Sequence, residues 1–225
     1  MKHVVLFDSD GTLLSTGGAG QRAMERALQT AFGLDECMHD ILAAGRTDRA
    51  ITSDLFRQHG IADEPDSRMR FWNEYLKLLP DTLAELDGRV LPGIVELLAI
   101  LVQRGDTALG LLTGNLRQGA AVKLRHYKLD HHFEFGGYGD EHFSRDDVAR
   151  FALAEACRYL DRELSPESIS VVGDTPSDVQ CARAIGARAV AVATGIYSRS
   201  DLQDAGPDCL LDDFRDPGAW LSQLV

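Results

Sequence analysis

Two carboxylates stand two residues apart in Asp8-Ser9-Asp10-Gly11-Thr12, directly after the apolar run Val4-Val5-Leu6-Phe7. Like charges crowded where a buried strand gives way to a turn cost free energy, unless a cation binds there or a phosphoryl chemistry uses both acids. A calcium loop would need Gly at its sixth position and Glu at its twelfth; counted from Asp8, Gly11 is fourth and Ala19 twelfth, so that reading fails. An ordinary Asp/Gly turn stays open on this segment alone.

A second acidic signature follows another apolar run, in Val171-Val172-Gly173-Asp174-Thr175-Pro176-Ser177-Asp178. The carboxyl ends of parallel strands form the crevice where such sheets bind ligands, so Asp8, Asp10, Asp174 and Asp178 can share one site. Carboxylate and water oxygens beside a phosphate are the preference of Mg²⁺. In Leu111-Leu112-Thr113-Gly114-Asn115 a strand ends in Thr-Gly and a helix starts at once, offering a hydroxyl and freed N–H groups to a phosphate oxygen.

The elements that must hold these residues alternate from Leu91 onward. Helices are predicted over 92–104, 115–128, 146–160 and 177–185. Strands are predicted near 108–113, 133–135, 169–172, 189–192 and 209–211. That rhythm reads as an α/β fold, a Rossmann-like parallel sheet flanked by helices. Residues 16–88 break it: Ala19, Ala23, Ala27 and Ala31 recur at helical spacing, and further helices are expected over 48–58 and 66–79. The expected division is a core of residues 1–15 and 89–225 carrying an inserted α-helical subdomain, 16–88.

With 225 residues, 44% of them apolar, the chain can bury a large core, and its net charge of −12 disfavours nucleic acid or an anionic membrane as partner. Cys37, Cys157, Cys181 and Cys209 are too scattered for a disulfide framework or zinc site, and the histidines lack metal-ligand spacing. No apolar run approaches the roughly 20 residues of a membrane span, and the N-terminus is not a signal peptide, so a cytoplasmic protein is expected. Gly18-Ala19-Gly20-Gln21-Arg22-Ala23, with Asp40 beyond, matches a dinucleotide pattern, but it lies too far from the strand ending at Phe7 for that role.

The strand-Asp-x-Asp-x-Thr run, the Thr113 strand end, a basic residue and Gly-Asp-x-x-x-Asp resemble, in order and spacing, the haloacid dehalogenase-like hydrolase superfamily. The resemblance covers the whole chain, since the insert looks like that family's helical cap. It implies a phosphatase similar to phosphoglycolate phosphatases, with a small phosphorylated metabolite as substrate and Mg²⁺ as cofactor. Asp8 would be the nucleophile, forming an aspartyl-phosphate. Asp10 would be the acid/base, its proton kept available by neighbouring negative charge.

The same resemblance implies Mg²⁺ held by Asp8, the carbonyl of Asp10, Asp174 and, directly or through water, Asp178. Thr113, Gly114, Asn115 and the N–H groups of Ser9 and Gly11 would bind phosphate. Arg145 is the first candidate for the basic residue, with a surface ion pair to Asp146 or Asp147 as its plainer reading, and Lys123 is the second. In the cap, Ala44-Gly45-Arg46-Thr47-Asp48 reads as a loop before a capped helix, from which Arg46 could reach substrate. A sugar-phosphate mutase of the same superfamily, or a silent binding protein, stays open as an alternative.

Overall fold

The structure, a computed structural model, describes residues 3–34, 43–222 and 224; Cys37 and Asp40 lie outside them. Six parallel strands form one sheet: β1 (His3–Phe7), β4 (Thr107–Leu112), β5 (Phe135–Gly137), β6 (Ile169–Gly173), β7 (Arg188–Val192) and β8 (Cys209–Leu211). Their spatial order is β5-β4-β1-β6-β7-β8, so the topological switch lies between β1 and β6. Phe7 is in register with Leu111 on one side and Val172 on the other, which brings Asp8, Thr113 and Asp174 to the same edge of the sheet.

The uniformly apolar β1 is explained by burial on both faces. Val4 and Leu6 pack toward α6 (Arg145–Leu160), α7 (Pro176–Ala184) and α8 (Arg199–Asp204). Val5 and Phe7 pack toward α4 (Ile94–Gln103), α5 (Arg117–His126) and α9 (Gly218–Leu221). A third cluster joins α1 (Ala19–Phe32), α2 (Asp48–Gln58) and α3 (Pro65–Glu85) with the buried Leu116, and Val122 and Tyr127 pack against it. The alanine stripe of α1 lets that helix lie close along α3, while Phe32, Phe56 and Phe71 meet edge to face at 5.4 and 5.6 Å. No helix among the described residues is long and apolar enough to cross a membrane.

Four local features differ from the sequence expectation. The helix expected to stop at Leu79 continues through Pro80, because Tyr75, Leu79 and Leu83 share one buried face whose packing outweighs the lost N–H. The strand expected at 133–135 lies at Phe135–Gly137, after a 3₁₀ turn at Asp130–His132; Gly137 lies against α6 with no room for a side chain. The helix expected from Asn115 starts at Arg117, since Leu116 is extended and gives its N–H to Asp48 at 2.8 Å. A short antiparallel pair, β2 (Leu14–Ser15) with β3 (Arg89–Val90), was not anticipated. It ties together the two points where the chain leaves and rejoins the region of the sheet.

Leu28 is fully buried among the helices of 19–85. Leu28→Ala is expected to cost about 2–5 kcal/mol of stability, read from chemical denaturation.

Candidate functional site

The edge formed by the ends of β1, β4 and β6 opens into a cavity of about 490 Å³. The cavity is lined by Asp8, Asp10, Thr113, Gly114, Asn115, Lys123, Arg145 and Asp174, and by Arg46 and Asp48 from the start of α2. Asp178 is buried beside Asp8 and Asp174; one carboxylate oxygen of each lies within 4.8 Å of the others.

Arg145, at the start of α6, is buried, so the surface ion-pair reading does not hold. Its Nη1 lies 3.5 Å from Asp8 Oδ1, and its Nη2 donates to Asp178 Oδ1. Lys123 serves a different acid. Its Nζ donates to Asp10 Oδ2 at 2.6 Å and to Asn115 Oδ1 at 2.8 Å, and its pKa is raised because the nearby Asp10, Tyr75 and Asp48 outweigh the opposing effect of burial. The two basic candidates are therefore divided between the two acids of the opening pair.

Burial pushes the pKa of Asp8 up to about 7, against the pull of Arg145 and with help from Asp178 and Asp10. Asp174 is raised well above the carboxylate range by burial, then by Asp178 and Asp8. A divalent cation fits such a set: the donors are all oxygen, and its charge would remove the penalty that raises them. Asp174 Oδ1 accepts from Thr12 Oγ1 at 2.9 Å, and Gly11, at φ +83°, and Gly195 leave a cradle around this carboxylate that a Cβ would fill. Asp178 is more occupied. Besides Arg145, it accepts from Thr175 N at 3.1 Å and Thr175 Oγ1 at 2.7 Å, closing the capping box of α7.

The expected phosphate groups divide. Thr113 and Ser9 meet hydroxyl to hydroxyl at 2.9 Å, and Gly114 and Asn115 line the cavity. Gly11 is a correction: its N–H donates to Leu14 O at 2.8 Å and is not free for a phosphate. The Asn115 N–H is likewise directed to Thr113 Oγ1, at 3.3 Å, because the helix begins two residues later than expected. Arg46 lines the cavity, but its guanidinium donates to Asp54 at 2.5 Å and Ala50 O at 3.5 Å.

Sequence reasoning missed Asp48. It is buried, its N–H donates to Gly114 O at 2.7 Å and its Oδ2 accepts from Leu116 N, clamping the start of α2 onto the loop after β4. Burial raises its pKa to about 6, against the pull of Lys123. Only the Thr-Asp of a helix start marked it. Thr12, Thr175 and Thr194, whose Oγ1 donates to Gly11 O at 2.6 Å, were also passed over.

A parallel sheet whose carboxyl edge gathers four aspartates and a buried arginine at its topological switch defines the class: a Rossmann-like α/β core with an acidic site. Residues 5–183 match the model of the haloacid dehalogenase-like hydrolases, and the chain belongs to that family. It is 31% identical over 224 residues to a phosphoglycolate phosphatase of Synechococcus elongatus, covering 99% of each chain. Pyrophosphatase PpaX of Bacillus cereus is 26% identical, with 99% of this chain and 97% of the relative covered. The fold is similar to that of CbbY from Rhodobacter sphaeroides, crystallised with phosphate, at a TM-score of 0.76, 24% identity and 97% coverage of both chains.

Removing Arg145 leaves Asp8 and Asp178 buried without their cation. Arg145→Met is expected to destabilise the metal-free protein by about 3–5 kcal/mol at pH 8. The loss shrinks at pH 5, where Asp8, whose pKa burial pushes up to about 7, is protonated and its share of the uncompensated charge is gone. Denaturation curves at both pH values check the sign.

Proposed function

We propose that the chain is a Mg²⁺-dependent phosphatase that hydrolyses a small phosphomonoester through an aspartyl-phosphate on Asp8. In this reading residues 1–15 and 89–225 are the catalytic core and 16–88 the cap. The Asp8 carboxylate attacks phosphorus as the bond to the leaving oxygen breaks, and Asp10 gives that oxygen its proton. Asp10 then takes a proton from the water that attacks the phosphoryl group, releasing inorganic phosphate and restoring Asp8.

The observation that carries the reading is the different company kept by the two acids. Asp8 is buried beside Arg145, which suits a nucleophile approached by an anion, and the same guanidinium is a planar donor for phosphate oxygens. Asp10 is held by Lys123, with its side chain 35% exposed and therefore within reach of substrate and water. Thr113, Gly114, Asn115 and Ser9 would surround the phosphoryl group. Mg²⁺, held by Asp8, the Asp10 carbonyl and Asp174 with Asp178 behind them, would supply charge that offsets repulsion between carboxylate and phosphate. The relatives named as phosphoglycolate phosphatase and pyrophosphatase support small phosphorylated metabolites as the substrate class. A reducing cytoplasm suits the free Cys157, Cys181 and Cys209.

Against a panel of phosphate esters with Mg²⁺, Asp8→Asn is expected to abolish turnover, and Asp10→Asn to lower kcat by about 10²- to 10⁴-fold with a smaller effect on phosphate binding. Substantial hydrolysis by Asp8→Asn would falsify the nucleophile assignment. Mg²⁺ binding carries its own pH signature. Below pH 7 the cation must displace a proton from Asp8, and above it relieves repulsion between ionised acids. The rise in Tm on adding Mg²⁺ should be larger at pH 8 than at pH 5.5; equal shifts would remove Asp8 from the metal site.

A further inference from the structure

The cavity is wider than a phosphoryl group needs, and its lining includes the side chains of Met24, Ile51, Leu55 and Tyr75 beside the polar Ser15, Thr16 and Gln21. The aliphatic part of that lining offers little to an anion. Among the described residues lining the cavity the cations are Arg46, Lys123 and Arg145, and each already faces an acid: Asp54, Asp10, and Asp8 with Asp178. A carboxylate or second phosphate on the leaving group would be desolvated where it met those aliphatic side chains, with Asp48 also in the lining and no uncommitted cation among the described residues to meet it.

One polar atom in the wall does lack a partner. Tyr75 Oη is buried, lines the cavity and has no hydrogen-bond partner. Buried hydroxyls are satisfied in the great majority of proteins, so one left open at a cavity wall suits a group brought by a ligand.

We propose that the leaving group of the substrate is an uncharged alcohol, with an apolar face against Met24, Ile51 and Leu55 and a hydrogen-bonding oxygen or nitrogen at Tyr75. This inference rests on the phosphatase reading. It separates the chain from enzymes for phosphoglycolate, a monoester, or pyrophosphate, an anhydride, whose leaving groups, glycolate and phosphate, are anionic and small for this space.

The test compares kcat/KM, with Mg²⁺, for phenethyl phosphate, 4-hydroxyphenethyl phosphate, phosphoglycolate and pyrophosphate. Phenethyl phosphate is expected to exceed both anionic substrates by about tenfold or more. The 4-hydroxy ester should gain a further factor of about 3–10 from one hydrogen bond, an advantage that Tyr75→Phe removes. Met24→Arg, which places a cation on the wall, should shift the ratio toward phosphoglycolate. Phosphoglycolate or pyrophosphate equal to or better than phenethyl phosphate in the unmodified enzyme overturns the inference and leaves the phosphatase reading standing. No turnover of any of the four, with no phosphorylation of Asp8, overturns both.

Discussion

The structure depends on how three buried carboxylates are kept at the ends of two adjacent parallel strands. Asp8, Asp174 and Asp178 lie close enough to share a cation, yet among the described residues Arg145 is the basic side chain paired with Asp8 and Asp178. A guanidinium between Asp8 and Asp178 compensates part of the charge, and hydroxyl donors from Thr12 and Thr175 compensate more. The remainder appears as the raised pKa of Asp8 and Asp174. Much of the local sequence serves this arrangement. Gly11 and Gly195 leave space around Asp174, and Gly173 leaves space for Asp178, because a Cβ at any of the three would collide with a carboxylate.

The second acid of the opening pair belongs to a different electrostatic group. Lys123 is hydrogen-bonded to Asp10, and its charge also acts on Asp48, which holds the start of α2 to the loop after β4. One buried ammonium therefore stabilises both a carboxylate lining the cavity and the clamp that holds α2 to the loop after β4. Loss of that charge would affect the exposed acid and the docking of α2 together, and the two effects cannot be separated by changing Lys123 alone.

Where a strand was strongly apolar and ended in a chemically unusual residue, as at Phe7-Asp8 and Gly173-Asp174, both the element and its place at the sheet edge were legible. The helical character of 48–58 was legible for the same reason, since Thr47 caps the helix by accepting from Ala50 N. Asp48 was not, because its importance comes from contacts with Gly114 and Leu116, far away in sequence. The commitment of the Gly11 N–H to Leu14 and of Arg46 to Asp54 was equally invisible, since motif spacing says which residues converge but not which donors are already used. Strand β5, ending in two glycines, lacks the β-branched signal that marks its neighbours, and Pro80 concealed six further residues of helix.

The small β2–β3 ribbon has a consequence for the economy of the chain. Leu14 pairs with Val90 and Ser15 with Arg89, so the long helical excursion begins and ends at neighbouring points. Closing a loop whose ends are already adjacent depends only weakly on its length. The two-residue seam thus fixes where the excursion leaves and returns whatever the length of chain between, and the register of β1 against β4 and β6 is set by the sheet itself.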